Sequence, residues 1–176
     1  MKDENIKEVK SLTWDEVFEF WRGNEADSPA WEKHYKSRGF NSWEEWRETY
    51  AKRFKCRDKK WGLYKVVEPL KSVPEFFGGP FSGWTKLYYN GAKERTFSEL
   101  AENKEIQANG IVNRLIKDFP EETIITAMRV KNEKIVVIEG MHRCLALAMM
   151  AKNNKHHSGK VLLALGESDE ELPSSK

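Results

Sequence analysis

In the first third of the chain, apolar residues recur at three- and four-residue steps, which is the spacing of one helix face. Two stripes of this kind carry mostly aromatic side chains: Trp14, Val17, Phe18 and Trp21, and then Trp43, Trp46 and Tyr50. Thr13 and Ser42 stand directly before the two stripes and are typical N-cap residues, and Gly23 is a typical end for the first helix. The pattern predicts an aromatic-rich helical extension over residues 1–60.

Beyond residue 60, short apolar runs rich in β-branched residues replace the helical spacing. They predict strands at residues 63–67, 123–130, 135–138 and 160–165. Residues 131–134 are the predicted turn of a hairpin between the second and third of these strands. Helices are predicted through Ile111 and Leu115, ending before Pro120, and at residues 144–152, where Ala, Leu and Met dominate.

This order of elements predicts an α+β fold in which helices surround a small mixed sheet. The helical extension is expected to precede a main domain at residues 61–166. Residues 167–176 are acidic and contain Ser and Pro, a composition that predicts a disordered tail.

A turn-rich loop runs from Pro74 to Pro80 and contains two adjacent glycines. Four aromatic residues lie in it or just after it: Phe76, Phe77, Phe81 and Trp84. So aromatic a loop is not expected to stay in water. Two interpretations remain open: the loop packs as an irregular part of the core, or it borders a ligand pocket.

The composition argues against several classes of function and indicates none. Charged residues make up 33% of the 176, but the net charge is only +2, so no overall field attracts nucleic acid or membrane. No apolar run approaches the roughly 20 residues of a membrane span, and a membrane partner is not expected. Cys56 and Cys144 lie far apart and match no metal-ligand spacing, so we expect reduced thiols, no metal site and a cytoplasmic protein.

One local concentration of positive charge precedes the main domain. Its basic residues are Lys52, Arg53, Lys55, Arg57, Lys59 and Lys60. Phe54 and Trp61 flank or interrupt the run, so it is able to bind nucleic-acid phosphates with aromatic stacking. The alternative is that the run is the solvated face of a helix.

The clearest chemical pattern is the predicted strand-to-helix turn at residues 138–143. Backbone N–H groups are unpaired where a helix begins, and the helix dipole attracts anions there. Gly140 permits a tight turn and close approach of a ligand, while Arg143 is able to bind phosphate oxygens. Glu139 supplies a carboxylate and His142 an imidazole, each a candidate base.

The segment 135–151, which reads IVVIEGMHRCLALAMMA, resembles the signature of the ParB/sulfiredoxin superfamily. The resemblance extends in element order over residues 61–165 and implies a nucleotide-phosphate pocket built by a strand, a Gly-x-His-Arg turn and a helix. Sulfiredoxins carry a catalytic cysteine where this chain has Met141, so peroxiredoxin repair is not implied. Members with histidine at the position of His142 include a free-serine kinase, although Glu139 replaces their usual aspartate.

These observations lead to the main functional hypothesis, a nucleotide-dependent kinase (a transferase) or NTPase acting on a small-molecule acceptor. Glu139 and His142 are the predicted catalytic residues. The predicted phosphate-binding residues are Gly140, Met141, His142 and Arg143. The expected cofactor is Mg²⁺ with ATP, ADP or CTP, held between phosphate oxygens.

Two alternatives belong to other classes. One is a DNA-binding or nuclease module of the ParB-like type, in which Lys52, Arg53, Lys55 and Arg57 contact the nucleic acid. The other is a non-catalytic regulator that binds a protein partner through the aromatic N-terminal helices. The sequence leaves the oligomeric state open.

Overall fold

The computed structural model describes residues 4–174. Within them, five strands form one sheet: β1 (Ile6–Leu12), β2 (Lys60–Val66), β3 (Glu122–Arg129), β4 (Ile135–Glu139) and β5 (Lys160–Glu167). Their spatial order is β1-β2-β5-β3-β4. β3 and β5 are parallel, and the other neighbouring strands are antiparallel. The predicted α+β class with a mixed sheet is confirmed.

Helices surround the sheet on both faces. Over residues 4–174 they are α1 (Trp14–Glu25), α2 (Pro29–Ser37), α3 (Trp43–Arg53), α4 (Pro69–Ser72), α5 (Ser82–Tyr88), α6 (Phe97–Leu100), α7 (Lys104–Gln107), α8 (Gly110–Lys117) and α9 (Met141–Lys152). Single 3-10 turns occupy Cys56–Asp58, Val73–Glu75 and Lys131–Glu133. In this part of the chain, none of the helices combines the length and apolar character needed to cross a bilayer.

The N-terminal segment contains a strand as well as helices, which corrects the prediction for residues 1–60. β1 pairs with β2 at one sheet edge, and of its seven residues Leu12 alone is buried. An exposed edge strand with alternating charges lacks the apolar run that identifies buried strands, so the sequence did not reveal it. Met1–Asp3 lie outside the described residues.

The two aromatic stripes form the predicted helices α1 and α3. Thr13 caps α1 through a reciprocal pair of hydrogen bonds with Glu16, and Ser42 accepts a hydrogen bond from the backbone of Glu45. α1 continues to Glu25, however, so the predicted end at Gly23 is wrong. The two extra residues, Asn24 and Glu25, line the cavity of the candidate site.

Each face of the sheet has its own apolar layer. One layer joins α9 and the short helices α4 and α6–α8 to residues such as Ile125, Val137 and Leu163. The opposite layer joins α1–α3 to residues such as Met128 and Leu162. Neighbouring residues of one strand face opposite layers, as the period of two requires. The proposed boundary at residue 60 therefore does not separate two independent cores.

The predicted hairpin of β3 and β4 is confirmed. β5 extends through Glu167, the residue at which the disordered tail was expected to begin. Residues 168–174 have defined contacts: Glu171 pairs with Lys134, and Leu172 packs against the α1–α3 layer. The disorder expected for the tail at residues 167–176 stays a prediction, and residues 175–176 lie outside the described part.

Candidate functional site

A register shift at the end of β4 directs Glu139 toward α1. Ala127 pairs with Val137. Thr126, the residue before Ala127 in β3, pairs with Glu139, so Ile138 is an extra residue in β4. Such a bulge changes the face to which the following side chain points, because directly opposed residues share a face. Glu139 consequently contacts Asn24 of α1.

The turn after Glu139 begins α9 without a side-chain cap. Gly140 has φ +102° and ψ +20°, and it has no side chain with which to cap the helix. The first bond of the helix runs from the Cys144 amide to the Gly140 carbonyl, at 3.0 Å. The amides of Met141, His142 and Arg143 precede that bond, and no side chain within residues 4–174 accepts a hydrogen bond from them. Uncapped amides of this kind are the groups with which a helix start binds anions in other proteins.

Arg143 holds the turn against β3. Its Nη1 donates to Thr123 Oγ1 and, at 2.9 Å, to the Ile124 carbonyl, while its Nη2 donates to Glu139 Oε1. Three of the five guanidinium N–H groups are thus used within the protein. Through these bonds Arg143 links β3, β4 and α9, and it also lines a cavity.

The Glu139 carboxyl is almost completely buried, at 5% exposure. Burial raises its pKa above the ordinary value, and the nearby Glu25 carboxylate acts in the same direction. The charge of Arg143 and hydrogen bonds from Arg143 and Asn24 oppose this shift without cancelling it. A carboxyl with a raised pKa is a stronger base once ionised, which suits proton transfer near neutral pH.

The imidazole of His142 packs edge-on against the indole of Trp84, with ring centroids 5.2 Å apart. Burial lowers the pKa of His142, and the positive charge of Arg143 lowers it further. The ring is therefore neutral at neutral pH and able to accept a proton.

A cavity of about 740 Å³ opens onto this turn. Residues 139–143 form one wall, and α1, α8 and the start of β3 form the others. Four aromatic side chains from different elements also line it: Phe20, Trp31, Phe81 and Trp84. Its volume lies within the roughly 300–1,000 Å³ of typical small-molecule sites.

Four carboxylates line the same cavity, and each has a basic partner. Exposed Glu19 pairs with Arg22, and Glu122 with Lys160. Buried Glu25 pairs with Arg47 and Glu139 with Arg143. Because each carboxylate is paired, their negative charge opposes an anionic ligand less than their number implies.

Both interpretations of the aromatic loop, packing in the core and bordering a pocket, apply to different parts of the segment. Phe76 is buried in the core, and the Phe77 amide bonds to the Ile135 carbonyl at 2.8 Å along the outer edge of β4. Phe81 and Trp84, which follow the loop, line the cavity. The first half of the segment is core and the second half borders the pocket.

Met141 and Cys144 offer the cavity little side-chain chemistry. Met141 is buried, and its sulfur accepts a hydrogen bond from the Gly79 amide at 3.4 Å. Only its backbone amide remains for a phosphate role. Cys144 is fully buried, and burial raises the pKa of its thiol far above the ordinary value, so it is not a nucleophile.

The basic run before β2 lies outside the cavity lining. Arg53 donates to the Pro80 carbonyl at 3.1 Å and lies over the Phe54 ring. Lys55 pairs with Glu170, and Arg57 pairs with Glu48 and more loosely with Asp15. Lys52 is exposed. The turn and the run are not brought together into one nucleic-acid surface.

Sequence reasoning missed the contribution of α1 and β3 to the site. Asn24, Glu25 and Thr123 contact the strand-to-helix turn or lie beside it, yet none belongs to a motif. The position of Asn24 and Glu25 in the last turn of α1 carries no chemical pattern of its own. Across the described residues, no cluster of three or more His, Cys, Asp or Glu is arranged to hold a metal ion.

The arrangement is a cavity with the uncapped start of α9 at one end, ionisable side chains beside it and aromatic walls. No protein-family model, curated protein or solved structure matches this chain. The assignment of function therefore rests on the chemistry of this cavity.

Proposed function

We propose that the cavity binds a nucleotide with Mg²⁺ and transfers or hydrolyses its terminal phosphoryl group. The observation that carries the proposal is the 740 Å³ cavity that opens onto the uncapped N-terminus of α9. A helix start with free amides is a recurrent binding site for phosphate. The ParB/sulfiredoxin resemblance of this same turn supports the proposal.

The phosphates lie at the amides of Met141 and His142 in this scheme. Arg143 keeps the turn in place and offers its two remaining N–H groups to phosphate oxygens. Mg²⁺ that arrives with the nucleotide would supply positive charge to offset the negative charge of the phosphates. Aromatic side chains such as Trp31 and Phe81 provide surfaces on which a base is able to stack.

Glu139 is the proposed general base, with His142 as the second candidate. The base removes the proton from a hydroxyl of the acceptor, or from water, as that oxygen bonds to the terminal phosphorus. The bond from phosphorus to the nucleoside diphosphate, or to the monophosphate when the donor is ADP, then breaks, and the shortened nucleotide leaves. The buried position and raised pKa of Glu139 favour it for this role.

The test is isothermal titration calorimetry with ATP, ADP and CTP in the presence of Mg²⁺. Gly23 lines the cavity, and a Cβ built there meets no atom within 4 Å, so a side chain is able to start at this position without a clash. Gly23→Trp places a bulky ring at the cavity mouth, and we expect it to weaken binding about tenfold or more, which is roughly 1.4 kcal/mol. Gly23→Ala, the matched control, leaves the affinity unchanged.

Two results count against the proposal. One is that none of the three nucleotides, at millimolar concentration, gives a heat of binding or competes with another of them for the protein. The other is equal affinity in Gly23→Trp and Gly23→Ala, which would place the nucleotide elsewhere. Catalysis is tested by ³¹P NMR of the bound nucleotide, where Glu139→Gln should retain binding and lose turnover.

The other two hypotheses gain no support from the observed contacts. In the basic run, Lys55 and Arg57 are each paired with carboxylates, and Lys52 is exposed. On the N-terminal helices, Trp21, Trp43 and Trp46 are fully buried against the sheet layer, and Phe20, Trp31 and Tyr50 are half-buried.

A further inference from the structure

The side chain of Asn24 connects the last turn of α1 to the strand-to-helix turn. Its Nδ2 donates to Glu139 Oε2 at 3.0 Å and to the Ile124 carbonyl at 3.2 Å. An amide nitrogen has two N–H groups, so both are used and the orientation of the amide is fixed. The Ile124 carbonyl also accepts from Arg143, which closes a network around the carboxyl of Glu139.

The two oxygens of Glu139 are held by different elements. Arg143 of α9 binds Oε1 and Asn24 of α1 binds Oε2. Both bonds favour the ionised form, because a carboxylate accepts hydrogen bonds more strongly than a neutral carboxyl does. α1 therefore supplies one of the two donors that offset the burial of this group.

We propose that Asn24 is a positioning residue for Glu139, holding the carboxyl oriented toward the cavity so that it acts as the general base. This inference rests on the proposed function, because Asn24 would act through Glu139, the proposed general base. It also makes α1 part of the site, not only a cover for the sheet.

Several charged or polar groups face Glu139 and contribute to its titration. They are Asn24 and Glu25 of α1, Thr123 and Thr126 of β3, and His142 and Arg143 of α9, with Arg47 of α3 behind Glu25. Glu25 has a bidentate partner of its own in Arg47. A change at Asn24 removes its hydrogen bond to Oε2 together with its bond to the Ile124 carbonyl.

The experiment follows the Glu139 carboxyl carbon by ¹³C NMR in the full chain labelled at glutamate, with Glu139→Gln to assign the signal. Asn24→Ala removes the donor, so the midpoint of the titration should move to higher pH. Asn24→Asp has the same shape but adds negative charge, so the midpoint should move further in the same direction. Asn24→Ala carries the test, because the added charge of Asn24→Asp raises the midpoint by repulsion in any case.

Asn113→Ala is the matched control. Asn113 donates from its side-chain amide to the Gln107 carbonyl at 3.0 Å, away from Glu139, so its loss costs a comparable hydrogen bond without touching the carboxyl. We expect its Glu139 titration to match that of the unaltered protein. Circular dichroism melting of all variants shows whether each is folded.

An unchanged Glu139 midpoint in both Asn24 variants overturns the inference, whatever happens to nucleotide binding. A shifted Glu139 midpoint supports the inference when the acid limb of the pH profile for phosphoryl transfer shifts in parallel. A shifted midpoint in a protein that binds no nucleotide supports the link between Asn24 and Glu139 while overturning the proposed function, so the two failures are distinguishable.

Discussion

At the scale of single residues, the turn depends on the backbone of Gly140. Its φ of +102° lies in a region that residues with a side chain rarely adopt. A Cβ built at this position would lie 3.1 Å from Arg143 Nη2 and 3.2 Å from Ile125 Cγ1. Both neighbours belong to the structure that holds the site, so neither is free to move without cost.

We expect Gly140→Ala to destabilise the protein by about 1–3 kcal/mol, the usual cost of a side chain in such a backbone conformation. Urea unfolding monitored by tryptophan fluorescence measures the change. Gly23→Ala is the control: Gly23 is helical and a Cβ there meets nothing within 4 Å, so the change should stabilise by about 0.5–1 kcal/mol. Equal free energies of unfolding for the two variants would show that Gly140 is not required by its conformation.

At the scale of elements, a buried ion pair joins α1 to α3. Arg47 donates to both oxygens of Glu25, at 2.7 and 2.8 Å, and Trp43 Nε1 donates to the same carboxylate at 3.0 Å. Four rings surround the guanidinium within 5.2 Å of their centroids: Trp21, Trp31, Trp46 and Tyr50. The pair fixes the last turn of α1, which is the turn that carries Asn24.

Breaking this pair from one side should be costly. We expect Arg47→Met to destabilise by about 3–5 kcal/mol, because Glu25 would remain buried without a countercharge. The double variant Glu25→Leu/Arg47→Met should recover a large part of that loss, since no buried charge remains. Chemical denaturation of the single and double variants provides the comparison.

Lys36→Met supplies the control for that experiment, because it removes an exposed ion pair with Glu32. Its cost should stay within about 1 kcal/mol. If Arg47→Met costs no more than Lys36→Met, the buried pair does not hold α1 and α3 together.

At the scale of the whole molecule, the sheet needs helices on both faces. The side chains of Met128, Val136 and Leu162 are buried under α1–α3, and β2 has β1 as its outer neighbour. Removing residues 1–60 would expose this apolar face and leave β2 as an open edge.

A fragment of residues 61–176 should therefore not fold as a stable monomer. We expect it to aggregate in size-exclusion chromatography and to lack a cooperative thermal transition, whereas the full chain shows both a defined elution volume and a cooperative transition. A monomeric, cooperatively unfolding fragment would mean that the N-terminal segment is a detachable extension after all.

Local patterns in the sequence were sufficient for much of the secondary structure. The stripes of α1 and α3, their caps at Thr13 and Ser42, and the β3–β4 hairpin depend on spacing and on nearby residues, so they are legible without a structure. The exposed strand β1 was missed because an edge strand buries almost nothing and leaves no apolar pattern.

The turn at residues 138–143 was also legible, because a glycine between a strand and a helix, beside ionisable residues, is a local pattern. Its surroundings were not. The bulge that redirects Glu139, the tie from Arg143 to β3 and the bond from Asn24 join residues as many as 115 positions apart in the chain. The sequence by itself determined which groups stand at the turn, whereas packing of α1 and β3 around it decided which of them are buried, paired or open to a cavity, because burial and pairing depend on neighbours that only the folded chain brings together.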